Sequence, residues 1–390
     1  MKIQMDYCEK FSLNIDKRNL KMNLKYCVKC VMPNTRPRIT FNKDGICNAC
    51  QWADEKKTAI DWDNRWNMLK MYCEKYRSRT DGFDVIVPVS GGKDSCYVAW
   101  KMKYELNMNP LLVHVAPPLP MEIGEKNLER LIAEGFDCVR VHPNPNISRK
   151  IALIEMHDFG DPLLAWMISV RSAVFRQAIK FNIPLIMWGE DGDIEYGGLT
   201  TMKFTPIHDR NYELNINLSG NNPNKYLDYF SKSQLYFWLF PSQEEYDSVG
   251  IANMHFNFFD AWDQYRNYTL AKEKFDFGEV KDKNIGTYTN FSQTDSAMFD
   301  LHCYFMYLKF GFGRCTADAC IDIRRGAMDR VQAINLIKKF DNGYPEPFIE
   351  KYLHYFQIDM SELQIAIDKH ANKNLFEKIN GYWTPIFEVA

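Results

Sequence analysis

Six consecutive residues, Ser90-Gly91-Gly92-Lys93-Asp94-Ser95, concentrate groups suited to holding phosphate. Two adjacent glycines let the backbone turn sharply and bare its amides. A helix that starts there adds its own N-terminal N–H groups, and together they make a nest for an anion. Ser90 and Ser95 supply hydroxyl donors, Lys93 a mobile positive charge and Asp94 a carboxylate for Mg²⁺. The run is not a Walker A loop, which needs GxxxxGK[ST]. A second constellation lies upstream, where Cys27-Val-Lys-Cys30 and Cys47-Asn-Ala-Cys50 form two CxxC pairs separated by 16 residues. Two residues between cysteines let one tight turn point both sulfurs at one ion, and two such turns complete a tetrahedron. With four thiolates the shell is closed, so the expected role is structural zinc; an iron–sulfur cluster is the competing reading. The remaining cysteines, Cys8, Cys73, Cys96, Cys138, Cys303, Cys315 and Cys320, lack ligand spacing and read as small buried side chains.

The elements that must position these groups follow an alternating pattern. Asp84–Ser90 reads as a buried strand running straight into the glycine loop, and CYVAWKMKYEL continues it as a helix. Strands are expected at 111–115, 138–142 and 184–188, helices at 122–134 and 163–181, and His255–Phe259 extends the sheet. Alternating strands and helices predict an α/β fold, a doubly wound and mostly parallel sheet with helices on both faces. Ligands then sit beyond the carboxyl ends of the strands, where both the glycine loop and Glu190 fall. Pro88 inside the strand removes one ladder donor and is a misfit. Between the cysteine pairs the pattern suits two short strands and a turn at Lys43-Asp44-Gly45, a small zinc ribbon spanning 26–52. The loop-bearing domain is expected at 80–275, with 200–250 an insertion or lid, and a helical C-terminal region at 290–390.

Composition bounds the rest. The chain has 390 residues, 46% hydrophobic and 25% charged, enough for a sizeable core and for two domains or one with an appended module. Its net charge of −2 argues against affinity resting on bulk attraction to nucleic acid or anionic lipid. No apolar run approaches the ~20 residues needed to span a bilayer, and the first residues lack a signal-peptide pattern. A cytoplasmic protein without a membrane partner is expected.

SGGKDS at the end of a strand matches the SGGxDS signature of the PP-loop ATP pyrophosphatases, adenine nucleotide alpha hydrolase-like enzymes that cleave ATP between the α and β phosphates. YCVKCVMPNTRPRITF, DGICNAC, VPVSGGKDS, IPLIMWGE…EYGG and KFGFGR…IDIRRG together resemble the N-acetyl sugar amidotransferase family, from Tyr26 onward. Residues 1–25 lie outside the likeness and read as a variable N-terminal extension. The resemblance implies conversion of an acetamido group on a bacterial surface sugar, such as a lipopolysaccharide O-antigen uronic acid or a pseudaminic-acid-type nonulosonic acid, to an acetamidino group. ATP is the co-substrate. Ser90, Gly91, Gly92, Lys93 and Ser95 are assigned to the pyrophosphate cradle and Asp94 to Mg²⁺; Glu190 becomes a second Mg²⁺ ligand or a hydrogen-bond partner for substrate. Lys309 and Arg314 read as charge clamps on the leaving phosphates, or else as helix-surface cations. Asp191, Asp193 and Glu195 read as solvated loop charges, and Tyr196 as core.

Neither an N-terminal cysteine nucleophile nor a GxCxG elbow appears, so glutaminase activity is expected in a separate polypeptide. The family resemblance implies a glutaminase partner similar to the histidine-biosynthesis glutamine amidotransferase, with a cyclase-like companion as a further partner. The rival is a tRNA-thiolating PP-loop enzyme. It would need a catalytic cysteine or cluster near the loop, and Cys96 sits beside it.

Overall fold

A computed structural model describes residues 24–78, 80 and 82–390. The extension expected at 1–25 therefore lies, except for Leu24 and Lys25, outside the described residues. So does Cys8.

The sheet positions everything else. Its strands are β1 (Val85–Val89), β2 (Pro110–Val115), β3 (Asp137–Val141), β4 (Leu185–Trp188), β5 (Ile207–His208) and β6 (Ala252–His255), in the order β3-β2-β1-β4-β6-β5. The first four and β6 run parallel, and the two-residue β5 pairs antiparallel at the edge. The direction of winding reverses between β1 and β4, the switch point where a crevice opens beyond the strand ends. Pro88 is accommodated because β1 pairs with β4 only at Val85 and Ile86; at Pro88 only β2, through Val113, is opposite.

Alternate residues of β1 feed two cores. Ile86, with Leu111 and Val113, faces α5 (Pro145–Phe159) and α6 (Leu164–Phe181). Val85, Val87 and Val89 face the opposite layer, built from α2 (Trp62–Tyr76), α3 (Lys93–Trp100), α4 (Glu122–Ala133) and α9 (Gln264–Phe275). This two-sided burial is why the strands read as nearly continuous apolar runs. Segment 200–250 sends Leu218, Tyr226, Leu235 and Trp238 into the first core and ends in α8 (Gln243–Val249).

Two local expectations give way. His255–Phe259 does not continue as a strand: β6 stops at His255 and the chain turns into a 3₁₀ segment, Phe256–Phe258. The Asn257 side chain is taken up there, accepting from the Asp191 N–H and donating to Glu195. The cysteine ribbon has isolated bridges, Tyr26 with Pro33 and Phe41 with Cys47, in place of two strands. Pro33 and Pro37 deny it ladder donors. Its second CxxC enters α1 (Asn48–Thr58), and the Lys43–Gly45 turn forms with Gly45 at φ +75.

The C-terminal region is helical from α10 (Met298–Phe310) through α11 (Arg314–Arg325), α12 (Arg330–Phe340), α13 (Ile349–Phe356) and α14 (Met360–His370). It then closes with a hairpin, β7 (Phe376–Ile379) and β8 (Tyr382–Pro385), turning at Asn380-Gly381 with both residues at positive φ. Met298, Leu301, Phe305 and Leu308 share the first core with α5 and α6. Phe312, Ala319 and Ile337 share a third core with the cysteine ribbon.

Candidate active site

The glycine loop joins β1 to α3 at the switch point. Gly91 has φ +86, and a Cβ there would lie 2.5 Å from the Gly124 carbonyl oxygen and 3.0 Å from the Leu128 nitrogen. The loop is thus pressed against the first turns of α4 so closely that only glycine fits. Gly92 is the N-cap of α3 and contributes no side-chain cap. The first-turn amides of α3 therefore stay open toward the crevice. Ser90 Oγ accepts from the Gly92 N–H at 3.3 Å, and Ser95 Oγ donates to the Gly92 carbonyl at 2.9 Å. The residues expected to cradle phosphate are so brought together on one turn.

Lys93 is 5% exposed and its Nζ meets Asp94 Oδ2 at 2.6 Å. Asp94 Oδ1 accepts from Asn267 Nδ2 at 2.8 Å, which fixes the carboxylate from α9. Glu190, at the end of β4, is pushed up to about 7 by burial and by the charge of Asp94, with Lys93 opposing. A carboxylate whose charge is disfavoured by a neighbouring carboxylate is suited to sharing a divalent cation with it. Tyr196 points its hydroxyl at Glu190 Oε1, 3.3 Å away.

The stretch after Glu190 is not a solvated loop. Asp191, Asp193 and Glu195 are all at least nine-tenths buried. Arg38 holds Asp193 through two parallel bonds of 2.9 and 3.0 Å, and Glu195 accepts from Trp52 Nε1 and Lys56 Nζ. A Cβ at Gly198 would fall 1.6 Å from Asp193 Oδ1, so this glycine admits that carboxylate, while Gly197, at φ +98, packs against Asn48 and Ala49. Asp193 and Glu195 are joints that fasten the cysteine ribbon and α1 to the rim of the sheet, while Asp191 caps the following turn and accepts from the Tyr212 hydroxyl.

Lys309 and Arg314, expected to act together, part company. Lys309 Nζ donates to the Phe159 carbonyl at 2.8 Å, against the end of α5. Arg314 is buried, pairs with Asp300 at 3.1 Å and also donates to the Ser292 carbonyl. Through this second contact Arg314 sits behind the segment that covers the loop. Phe291 in that segment lies 5.7 Å from Lys93 Nζ. Asp295 is pushed up by burial, against the pull of the Ser90 hydroxyl and the charges of Arg314 and Lys93. Asn267, Phe291 and Asp295 had no sequence signal, because each reaches the loop from a distant element.

The four ribbon cysteines are fully buried, with ligand atoms all within 4.8 Å of one another. Cys27 and Cys50 sulfurs are 3.9 Å apart and Cys30 and Cys47 sulfurs 3.7 Å. The edge of a tetrahedron with ~2.3 Å metal–sulfur bonds is about 3.8 Å, so the four fit one ion. The Cys47 and Met32 N–H groups donate to the sulfurs of Cys27 and Cys30, a shell that favours thiolate.

Comparison with known proteins places the C-terminal region. Residues 285–388 match the C-terminal domain of "LPS biosynthesis protein WbpG-like". This part of the chain is similar to that WbpG-like C-terminal domain. The match supports the likeness to N-acetyl sugar amidotransferases. It is this WbpG-like domain that brings Phe291, Asp295 and Arg314 to the loop. No curated protein matches. Among solved structures, a predicted subunit of tRNA methyltransferase from Methanocaldococcus jannaschii is 17% identical, covering 48% of this chain and 75% of that one, with a TM-score of 0.27. A U34-tRNA thiolase, NcsA, from Methanococcus maripaludis with its [4Fe-4S] cluster is 15% identical, covering 68% and 79%, with a TM-score of 0.29.

Proposed function

We propose that this chain is an ATP-dependent amidotransferase that converts the acetamido group of a bacterial surface sugar to an acetamidino group. The observation that carries it is the seating of the WbpG-like domain on the SGGKDS turn. Its Pro120–Ser296 bridge and the Asp295–Met121 backbone bond hold the segment over the turn. The SGGKDS turn and the WbpG-like segment thereby lie close together.

The amides of the α3 first turn, with Ser90 and Lys93, hold the β and γ phosphates. Asp94 and Glu190 would hold Mg²⁺, which would supply charge neutralisation for a departing pyrophosphate. The amide oxygen attacks the α phosphorus and pyrophosphate leaves. Ammonia adds to the imidate carbon and AMP departs with the former amide oxygen, so sugar, ATP and ammonia give amidine, AMP and pyrophosphate. The protein's contribution is positioning and charge stabilisation. Zinc in the four-cysteine ribbon is structural, since no coordination position faces the crevice.

Ammonia comes from a separate glutaminase. Among the described residues every cysteine except Cys138 is buried, and burial pushes the Cys138 thiol up, so no activated nucleophile is offered. The same test weakens a thiolation reading: Cys96 is fully buried and its thiol is pushed up to about 12, mainly by burial. The deciding assay incubates the protein with ATP, Mg²⁺, ammonium and N-acetylated sugar nucleotides. Sugar-dependent pyrophosphate release with a sugar mass change of about −1 Da, amide oxygen replaced by NH, is expected. Release that depends on tRNA in place of sugar would overturn the proposal.

A further inference from the structure

A second cluster of ligating side chains lies on the other side of Glu190, unused by the chemistry above. Asp191 follows β4, His208 ends β5 and His255 ends β6. Each is at most 2% exposed, and one ligand atom from each lies within 4.8 Å of the others. The two imidazole rings have centroids 4.7 Å apart. Asp191 Oδ2 accepts from the Tyr212 hydroxyl at 2.8 Å and faces His208 Nδ1 at 3.6 Å, beyond hydrogen-bond length.

The unexplained feature is what these rings bond to. Neither nitrogen of His255 has a hydrogen-bond partner among the described residues, nor has Nδ1 of His208. A fully buried imidazole nitrogen that makes no bond leaves its desolvation uncompensated, which native structures rarely tolerate. The rings border a cavity of about 10 Å³, room for roughly one water-sized particle. Its walls are Trp52, Ile194, Asn257 and Phe258. Two cations, Arg65 and Lys203, also reach it, but both are engaged: Arg65 donates to the Phe258 and Lys203 carbonyls, and Lys203 pairs with Glu55.

We propose that Asp191, His208 and His255 bind a divalent transition-metal cation, a second metal site distinct from the four-cysteine site. Two imidazoles and one carboxylate form an N₂O set suited to Zn²⁺, Fe²⁺, Co²⁺ or Ni²⁺, and not to Mg²⁺, which prefers oxygen ligands. Tyr212 holds the carboxylate in place, as outer-shell donors do at metal centres. The ion draws together the ends of β4, β5 and β6, one residue from Glu190. Its occupancy thus sets the turn that carries Glu190 into the crevice. The inference stands whether or not the substrate is a sugar.

The test is metal content of the full-length chain. Protein produced with Zn²⁺ or Co²⁺ in the medium is expected to carry two ions per chain by elemental mass spectrometry, and the His208→Gln/His255→Gln variant one. X-ray absorption on the zinc-loaded wild type is expected to need both sulfur and nitrogen shells, which keeps the test independent of how the variant folds. One ion per chain in the wild type, a sulfur-only shell, or two ions retained by a folded double variant would each overturn the site and place a water in the cavity instead.

Discussion

The two loop glycines should fail in different ways when alanine replaces them. At Gly91 an alanine must adopt φ +86, which costs about 1–2 kcal/mol for an L-residue. Its methyl must also displace the Gly124 carbonyl or the Leu128 amide, both backbone atoms of α4, adding the roughly 1–3 kcal/mol typical of overpacking. The sum, about 2–5 kcal/mol, is a large share of the roughly 5–15 kcal/mol that holds a domain together. At Gly92 the backbone is ordinary, φ −80, and a Cβ meets only Ser90 Oγ at 3.3 Å. The expected cost there is about 0.5–1 kcal/mol, the difference between glycine and alanine as an N-cap. That methyl, however, crowds the serine hydroxyl within the nest, and one lost hydrogen bond to a charged phosphate is worth about 10- to 100-fold. Denaturant unfolding and ATP-dependent pyrophosphate release, measured side by side, separate the two. Gly91→Ala is expected to unfold early, and Gly92→Ala to unfold nearly as wild type but to turn over slowly. Wild-type stability in Gly91→Ala, or full turnover in Gly92→Ala, would refute the assignment of one glycine to packing and the other to the cradle.

Three other expectations follow from the geometry. Glu190 titrates near 7, raised above its ordinary 4.5, so it contributes stability below about pH 4.5 that is lost as the pH rises through 7, and a metal must displace its proton in that window. Mg²⁺ binding by calorimetry in buffers of different ionisation enthalpy should release a proton at pH 6 and none above pH 8; no release at pH 6 would contradict the shared-cation reading. Cys47→Ser should drop the metal content by one ion and expose the third core, with Phe312 and Ile337 losing their ribbon partners, seen as earlier thermal unfolding; an unchanged metal count would dismiss the four-thiolate site. Asp193→Ala should cost about 1–3 kcal/mol, since a bidentate arginine bond to a 9%-exposed carboxylate is lost while Arg38 itself stays partly solvated; a change under about 0.5 kcal/mol would make the joint incidental.

What could be read from the sequence was what is encoded locally. The strand, glycine turn and helix around Ser90 form one contiguous pattern, and β1 through β4 fall within a residue or two of their expected limits. The CxxC pairs are likewise local. Asp191, Asp193 and Glu195 were misread because acids after a strand end, among glycines, look like any exposed loop. For Asp193 and Glu195 the partners Arg38, Trp52 and Lys56 lie about 140 to 155 residues away in sequence, and for Asp191 the Tyr212 hydroxyl lies 21 residues away, all beyond any periodicity. His255–Phe259 misled for the opposite reason: its β propensity is genuine, but Asn257 finds better bonds at Asp191 and Glu195 than a ladder would offer. The Asn380-Gly381 hairpin carried a readable signal, a primed-turn dipeptide, lost inside a region taken as mostly helical.

The distribution of the cores bears on how sugar chemistry was coupled to this nucleotide fold. A WbpG-like domain appended through a linker would leave α5 and α6 covered by their own layer. Instead Leu301, Phe305 and Leu308 of α10 complete that layer, and the cysteine ribbon packs on α11 and α12. The cysteine ribbon and the C-terminal helices are thus buried against each other. Nucleotide cradle and C-terminal domain cannot move as independent bodies without opening a hydrophobic core. On the amidotransferase proposal, the relative placement of the phosphate cradle and the C-terminal region is therefore set when the protein folds, and the entropy of bringing the two together is lost at folding, before substrate arrives.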